Sequence, residues 1–496
     1  MIKALAILGG LLAGAFSAAV MAQNAIPAGP AAPPTFQCGV GKAGKSQPLS
    51  STQRGLQTLP NLQYQCFTSP GGQALLTAQA GQQHEQTILL IHGLGTNGHH
   101  DWRETIPVLA QRYHVLAIDL PGFGGSPMLP QGYVFASLAE LLQQTLDHYA
   151  VGPAIVMGHS LGAAIALDYA HRHPAQVERL ILVDIAGVLQ KQVFANHIAQ
   201  WPLPQQVGLP PLDRVLSQVN RHIDTVKRNV LNWPDQLFDL TGFLRANPAI
   251  RSLLLRDQVM LDAAIGLVET DFSAAIRNTH TATFILWGSE DQVTPVRTGR
   301  LLANRMPNAR LYLVPGARHV PMLETPGEFH RLLADVLQMP SHGNRNALKT
   351  ALQRNTDGAS DQSCQNQTGA RFTGTIRTLQ LSNCHGIRIE DASIGQLVMQ
   401  QSSAELTQVE IVSKETAVVA KQSMLTGTAV TIQGSTAIDA DDSRFDLAGA
   451  SLIGQQQVAK IGRDSVFYFS VSDWQRGNSR RDQHGVMTLA PGSYSP

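Results

Sequence analysis

A serine hydroxyl on a sharp strand-to-helix turn can attack a carbonyl carbon, and one segment of this sequence has that pattern. The apolar run Ala154–Met157 precedes a helical pattern, and the five residues between them are Gly158, His159, Ser160, Leu161 and Gly162. The two glycines permit the close backbone approach that such a turn requires. Ser160 is therefore the predicted nucleophile.

A serine hydroxyl is a weak nucleophile, so it needs a base and a third group that orients this base. His319 follows the last apolar run of the central region and is the predicted base among 17 histidines. Asp291 follows an earlier apolar run and is the predicted acid. Asp184, which also follows such a run, is the first alternative for the acid, and Glu290 is the second.

Attack on a carbonyl builds negative charge on its oxygen, which backbone N–H groups can stabilise. His92, Gly93 and Leu94 directly follow the apolar run Thr87–Ile91. We expect the N–H of Leu94 to face the reacting carbonyl, together with the N–H of Leu161 after the nucleophile. Gly93 permits the tight turn that this geometry needs.

The elements that position these residues are six continuous apolar runs separated by helical patterns. The runs are Thr87–Ile91, His114–Ile118, Ala154–Met157, Leu180–Val183, Phe284–Trp287 and Leu311–Val314. Helical patterns include Ser137–Ala150 and Leu161–His173. Continuous apolar strands between helices predict an α/β fold with a parallel sheet covered on both faces, in which chemistry lies beyond the carboxyl ends of the strands.

Five motifs in this region together resemble the α/β-hydrolase superfamily. They are HGLGTNGHHDW (92–102), DLPGFGGS (119–126), GHSLGAAIALDYAHRHP (158–174), WGSEDQVTP (287–295) and GARHVPMLETPGEF (316–329). The resemblance covers residues 61–338 and implies an α/β-hydrolase domain. The order Ser160, Asp291, His319 is the order of the triad in this fold.

The resemblance implies an ester or related acyl bond as the target, as in carboxylesterases and lipases, with no metal or organic cofactor. The substrate is then a small-molecule or lipid-like ester. C–C bond hydrolysis and perhydrolysis on the same triad remain alternatives, as does a non-catalytic surface-binding protein. Family members that use an aspartate nucleophile are disfavoured, because Ser160 occupies that position.

The resemblance also implies a helical cap over the site, at about residues 188–278. Apolar residues of this segment are candidates to line an acyl-chain or aromatic pocket, although most of them are expected to pack the cap onto the core. They are Trp201, Leu203, Leu209, Trp233, Phe238, Phe243, Leu253 and Met260.

Composition limits the classes of partner. The chain has 496 residues, which is long enough for two or three domains. Its net charge is +1, so it has no electrostatic footprint for nucleic acid. Hydrophobic residues make up 43% and charged residues 15%, which is typical of a globular protein rather than a disordered one.

The N-terminus and the cysteines agree on compartment. Residues 1–22 combine an early lysine, a short apolar run and small residues before Ala22, which predicts a cleaved signal peptide and no remaining membrane anchor. The four cysteines are expected to pair locally, Cys38 with Cys66 and Cys364 with Cys384. We therefore expect a periplasmic or secreted protein.

The rest of the chain divides by composition. Residues 23–60 are predicted as an N-terminal leader rich in Ala, Pro and Gln, and residues 339–370 as a polar linker. Residues 371–475 contain short period-2 apolar runs that predict an all-β domain. Residues 476–496 are predicted as a C-terminal tail.

A repeat near 20 residues runs through the all-β domain. Small polar residues recur at Asn383, Ser403, Ser423 and Ser443, and apolar residues at Val398, Val418 and Ile438. The spacing resembles that of a parallel β-helix, a β-solenoid in which each coil stacks on the next. An antiparallel sandwich is the alternative. Contact of this domain with a polysaccharide or cell surface is a hypothesis.

Overall fold

The computed structural model describes residues 38–48, 59–95, 97–129, 133–191, 193, 258–340 and 358–496. The predicted signal peptide, much of the leader, much of the linker and most of the predicted cap lie outside these residues. Of the predicted pocket residues only Met260 is described, and it is buried. Among the described helices, none is both long and apolar enough to traverse a lipid bilayer.

The described residues group into two compact units. The first contains nearly all of those up to residue 340, and the second contains 358–496 together with residues 188–191, 193 and 300–305. Each unit is built around its own sheet.

The first sheet has nine strands, six of which contain the predicted apolar runs. The strands are β1 (Lys45–Pro48), β2 (Gln63–Thr68), β3 (Ala74–Ala80), β4 (Thr87–Ile91), β5 (His114–Ile118), β6 (Ala154–His159), β7 (Val177–Val183), β8 (Thr283–Gly288) and β9 (Ala309–Val314). Their order in the sheet is β1-β2-β3-β5-β4-β6-β7-β8-β9. The last six in this order pair in parallel, as predicted, whereas β1, β2 and β3 add an antiparallel edge.

Helices alternate with the parallel strands along the chain, and residues 300–305 of the sixth one belong to the second unit. They are α1 (Ile106–Leu109), α2 (Phe135–His148), α3 (Leu161–Arg172), α4 (Gln258–Glu269), α5 (Ser273–Asn278), α6 (Arg297–Arg305), α7 (Pro321–Glu324) and α8 (Pro326–Gln338). The central strands β4 and β6 are fully buried because helices leave neither face of the sheet to water. The chain crosses from one side of β4 to the other after β5, and such a reversal opens a crevice at the carboxyl ends of the strands.

A disulfide ties the segment before β1 to the sheet. Cys38 is bonded to Cys66 of β2 across 28 residues, and both cysteines are buried. The N–H of Cys38 also donates to the carbonyl of Gly125. The predicted pairing is confirmed, and it adds part of the leader to the first unit.

The second sheet has thirteen strands, mostly parallel. They are β10 (Gln362–Gln365), β11 (Arg371–Ser382), β12 (Ile387–Gln400), β13 (Ser403–Thr407), β14 (Glu410–Val412), β15 (Thr416–Lys421), β16 (Met424–Thr428), β17 (Thr431–Asp441), β18 (Arg444–Ala448), β19 (Ser451–Ile461), β20 (Ser465–Arg476), β21 (Ser479–Leu489) and β22 (Gly492–Tyr494). The sheet closes on itself because β12, third in the order β10-β11-β12-β13-β16-β18-β20-β19-β17-β14, pairs with its neighbour β13 and also with β14, the last strand of that order.

The repeat is real, but its period varies. The N–H of Ser402 donates to Ser423 Oγ, that of Ser423 to Ser443 Oγ, and that of Ser443 to Ser465 Oγ, at separations of 21, 20 and 22 residues. The predicted member Ser403 instead lies opposite Met424 in the β13–β16 pair. Because the separation before Ser423 is 21 residues, a fixed spacing of 20 selects Ser403 instead of its neighbour Ser402.

The apolar repeat shows the same offset. Val418 lies opposite Ile438, as predicted, but its partner on the other side is Leu397 rather than Val398. Leu397, Val418 and Ile438 are all fully buried, so they form one column of the core. A residue inserted into one turn of a strand repeat moves every later side chain to the other face unless the loop absorbs it.

The second unit extends beyond the predicted β-domain. Cys364 of β10 is bonded to Cys384, which confirms the second predicted disulfide. Within residues 476–496, β21 pairs antiparallel with β20, and β22 pairs antiparallel with β19. These antiparallel strands end the parallel stacking.

Candidate active site

Ser160 lies on a tight turn between β6 and α3. Its φ of 51° is in the left-handed region, which a residue with a side chain adopts only when its surroundings enforce it. Gly158 and Gly162 approach each other so closely that a Cβ on Gly158 would collide with the Gly162 backbone. The predicted role of both glycines in the turn thus has a steric basis.

The three residues predicted for the triad meet in one line. His319 Nε2 lies 3.1 Å from Ser160 Oγ, and His319 Nδ1 lies 2.8 Å from Asp291 Oδ2. All three side chains are buried. They follow β6, β8 and β9, so three strand ends at the same edge of the sheet bring them together.

Asp291 is held as a carboxylate by several donors. Its Oδ1 accepts from the N–H groups of Val293 at 2.8 Å and Thr294 at 3.0 Å, and its Oδ2 accepts from the Thr294 hydroxyl at 2.6 Å. Burial by itself raises the pKa of Asp291, but the His319 imidazole and these hydrogen bonds outweigh it and keep the pKa below its usual value. A charged Asp291 can orient His319 and stabilise its protonated form.

Neither of the two alternative acids takes the place of Asp291. Glu290 is exposed, whereas His319 is buried. Asp184 is fully buried next to Asp291, and its Oδ1 accepts from the N–H of Gly288 at 2.8 Å. Burial and the charge of Asp291 raise the pKa of Asp184 well above its usual value.

In the described part of the chain, one group of side chains has the spacing of metal ligands, and it consists of Asp184, Asp291 and His319. Ligand atoms of Asp184, Asp291 and His319 lie within 4.8 Å of one another. The Nδ1 and Oδ2 atoms that face each other there are already joined by a hydrogen bond. We therefore interpret the group as part of the Ser160 constellation.

His159 fixes the loop that carries His319. Its Nε2 donates to the backbone carbonyl of His319 at 2.7 Å. Burial, reinforced by the nearby His319, lowers the pKa of His159 to about 3, so its ring is neutral and Nδ1 is an acceptor. This Nδ1 is buried and receives no hydrogen bond from the described residues.

The predicted oxyanion loop lies against Ser160. A Cβ built on Gly93 would come within 2.6 Å of His159 Nδ1 and 3.3 Å of Ser160 Cβ, so only glycine fits there. His92 Nε2 accepts from the N–H of Leu120 at 2.9 Å, which leaves Nδ1 to donate to the Gly93 carbonyl at 2.7 Å. This side chain therefore sets the course of the loop into Leu94.

Leu161 supplies a second N–H near Ser160. It is the first residue of α3, and the first N–H groups of a helix have no acceptor within the helix. The N-terminus of α3 also favours negative charge in front of it. An oxyanion that forms beside Ser160 can thus be stabilised from this side.

A buried aspartate that the sequence analysis did not select supports the same region. Asp119 Oδ1 accepts from the backbone N–H of His99 at 2.6 Å and contacts its Nδ1 at 2.9 Å, and Oδ2 accepts from Gly125 at 2.8 Å. Both side chains lie at the end of β5 and in the turn after the oxyanion loop. Asp119 directly follows β5, and this position was the signal available in the sequence.

Comparison with known proteins identifies a family and several relatives. Residues 86–326 match the family described as alpha/beta hydrolase fold. A pimeloyl-[acyl-carrier protein] methyl ester esterase of Chromobacterium violaceum is 32% identical over 252 residues, which are 51% of this chain and 94% of that protein. An uncharacterised Mycobacterium tuberculosis protein is 29% identical over 290 residues, covering 54% of this chain and 80% of that protein.

The comparison with solved structures also gives matches. A hydrolase from Pseudomonas aeruginosa matches with a TM-score of 0.41 and 24% identity, covering 57% of this chain and 100% of that one.

Proposed function

Since the chain belongs to the α/β-hydrolase fold family, we propose that it is a serine hydrolase that cleaves carboxylic ester or related acyl bonds. The observation that carries this proposal is the continuous line from Ser160 Oγ through His319 to Asp291, with separations of 3.1 and 2.8 Å. The proposed chemistry needs no metal or organic cofactor.

The roles follow from the geometry. Ser160 Oγ attacks the carbonyl carbon while His319 Nε2 takes its proton. The C–O bond to the leaving group then breaks as His319 gives that proton to the leaving oxygen, so an alcohol departs and the acyl group stays on Ser160. Water then attacks the acyl-enzyme by the same route and releases the acid. Asp291 holds His319 with its proton on Nδ1, and the N–H groups of Leu94 and Leu161 stabilise the tetrahedral oxyanion.

An ester is the favoured bond because the Chromobacterium relative is named as a methyl ester esterase. We propose a small-molecule or lipid-like ester and leave its chain length to measurement. A panel of p-nitrophenyl esters of increasing acyl length tests this, alongside a vinylogous diketone and a peracid assay. If the enzyme turned over only the diketone, its reaction would be C–C bond hydrolysis. If it were active only in the peracid assay, its reaction would be perhydrolysis. Either result would refute ester hydrolysis.

The nucleophile is tested with Ser160→Ala. We expect kcat for a short p-nitrophenyl ester to fall by about 10⁶-fold, because the attacking atom is lost. A fluorophosphonate probe should label wild type at Ser160 and leave the variant unlabelled. Ser137→Ala, an exposed serine on α2, is the control and should keep wild-type turnover. Labelling and turnover that survive in Ser160→Ala would overturn the assignment.

We further propose that the protein is exported to the periplasm or beyond. Two disulfides support this, since such bonds persist in oxidising compartments. Mass spectrometry of the mature N-terminus in a cell fractionation experiment tests it. A start after Ala22 in the periplasmic or extracellular fraction is expected, and an intact chain in the cytosol would refute it.

We also propose that the closed sheet of the second unit is a β-helix-like solenoid that contacts a polysaccharide or cell surface. Successive parallel strands support it, because Leu397, Val418 and Ile438 stack at intervals close to the predicted repeat. Retention of the full chain on isolated cell-wall or polysaccharide fractions tests the contact. Recovery of all the protein in the unbound fraction would count against it.

A further inference from the structure

A second buried carboxyl group lies behind the acid of the proposed triad. Asp184 follows β7, its side chain is fully buried, and one of its carboxylate oxygens lies within 4.8 Å of one of Asp291. Its Oδ1 accepts from Gly288 N–H at 2.8 Å. Its Oδ2 is equally buried and receives no hydrogen bond from the described residues. Neither the hydrolase mechanism above nor the family order assigns this group a task.

The surroundings of Asp184 are acidic. The groups that face it are Asp291 after β8, Glu324 in α7 and the imidazole of His319 after β9. His159 of β6 packs on that imidazole, with ring centroids 5.0 Å apart. Among the described residues, no Lys or Arg forms an ion pair with Asp184. If both aspartates were ionised, two negative charges would be buried next to each other, and the His319 imidazole would be the basic group beside them.

The donors are shared unequally between the two carboxyl groups. Asp291 receives two backbone N–H groups, the Thr294 hydroxyl and His319 Nδ1–H, whereas Asp184 receives the single N–H of Gly288. Two carboxyl groups can hydrogen-bond to each other only if one keeps its proton. Asp291 has more hydrogen-bond donors than Asp184, so it is the partner that can hold the negative charge.

We propose that Asp184 is a positioning residue that keeps its proton and donates a hydrogen bond to the Asp291 carboxylate. This bond holds Asp291 Oδ2 in line with His319 Nδ1–H and moderates the charge that Asp291 presents to the imidazole. The inference rests on the proposed function for its catalytic consequence. Burial and the charge of Asp291, which raise the pKa of Asp184 well above its usual value, agree with it.

Asp184→Asn is a suitable conservative variant. Asp184 has a φ of 44°, a left-handed conformation that asparagine adopts more readily than most residues. The amide oxygen can accept from Gly288 N–H, and the amide nitrogen can donate to Asp291, so Asn reproduces a protonated Asp that never ionises. Asp184→Ala removes both contacts.

Steady-state kinetics on a p-nitrophenyl ester tests the role. We expect Asp184→Ala to lower kcat about tenfold while KM stays within about twofold, since the lost bond orients the base rather than the substrate. Asp184→Asn should recover most of this loss. An Asp184→Ala enzyme with wild-type kcat would overturn the role.

The pH profile distinguishes a protonated from an ionised Asp184. The acidic limb of kcat/KM reports protonation of the catalytic base. If Asp184 is already neutral, Asp184→Asn changes no charge, and its acidic limb should coincide with that of wild type. If Asp184 is ionised, removing its charge favours neutral imidazole, and the limb moves to lower pH. Such a shift overturns the proposal.

Thermal unfolding gives a readout that needs no turnover. A carboxyl group that stays protonated in the folded state costs stability as pH rises above its unfolded pKa, near the ordinary value of 3.8. The Tm of Asp184→Asn should therefore gain on that of wild type between about pH 4 and pH 8. A gap that stays constant or closes refutes the proton on Asp184.

The two proposals can fail separately. Absence of ester turnover in wild type, with a Tm gap that widens with pH, would remove the esterase and keep the protonated aspartate. Turnover with a constant gap would do the reverse. If Asp184→Ala does not fold, Asp184→Asn still decides both the pH profile and the Tm series.

Discussion

The two units bury polar side chains in opposite ways. At the edge of the first sheet, different groups converge on one point: a hydroxyl from Ser160, an imidazole from His319 and carboxyl groups from Asp291 and Asp184. In the second unit one group is repeated in what we call the serine ladder, which consists of Ser402, Ser423, Ser443 and Ser465. In this ladder the backbone N–H of each serine donates to the hydroxyl of the following one.

The two regions also differ in how completely their buried polar atoms are hydrogen-bonded. In the serine ladder, Ser423 Oγ both accepts from Ser402 N–H and donates to the carbonyl of Lys421 at 2.7 Å, so its bonding capacity serves the fold. Beside Ser160, His159 Nδ1 and Asp184 Oδ2 are buried without donors among the described residues. Repeated and satisfied polar groups indicate structure, whereas convergent groups with spare capacity indicate chemistry.

The largest effect that this comparison predicts is at Asp291. Asp291→Asn keeps the shape but removes the charge that fixes the His319 tautomer, and kcat should fall by about 10⁴-fold with the Tm little changed. Ester turnover and calorimetry on the same samples measure this. Glu290→Gln, the exposed neighbour, is the control and should remain active. A fully active Asp291→Asn would move the role of the acid to Asp184.

A smaller effect is expected in the serine ladder, and it is purely structural. Ser423→Ala leaves the buried N–H of Ser402 without its acceptor, which should cost about 1–3 kcal/mol in the stability of the second unit. Differential scanning calorimetry of the full chain measures the shift. Ser479→Ala, on an exposed position of β21, should leave the transition unchanged. If folded Ser423→Ala lost ester turnover, the claim that this serine has a purely structural role would be wrong.

The smallest effect concerns His159 and appears only in acid. Burial lowers the pKa of His159 to about 3, below the 6.5 of an ordinary histidine, so the unfolded chain binds the extra proton first. This contribution to stability is complete above pH 6.5 and is lost as the pH falls towards 3. His159→Gln can still donate to the His319 carbonyl and does not titrate.

The Tm of His159→Gln should therefore gain on that of wild type as the pH falls from about 7 to 4. His280→Gln, an exposed histidine in the same unit, is the matched control and should follow wild type. A gap that narrows in acid would contradict a neutral, buried His159.

Much of the central region follows from the sequence because strand ends are visible in it. Six apolar runs located six parallel strands, and the polar residues directly after them included Ser160, Asp291 and His319. The role of Asp184 was not visible, because the sequence makes it a rival of Asp291. Only the pairing of β7 with β8 shows that the two carboxyl groups are buried side by side.

The second unit shows where a spacing argument loses accuracy. The repeat identified Ser423 and Ser443 correctly, yet it selected Ser403 where Ser402 belongs. Loops between strands absorb one or two residues without disturbing the core, so the period varies while the stacking is kept. The edge strand β1 escaped detection for another reason, because it is short and mostly exposed and offers little apolar signal.

The bond between Cys38 and Cys66 has a practical consequence for anyone who produces this protein. It fastens the segment before β1 onto an edge of the first sheet. In a reducing cytosol this disulfide would not form, and the edge strand β1 could then detach or pair with a strand of another molecule. Recombinant material is best made by secretion or in an oxidising host, and free-thiol titration of the purified protein should find none.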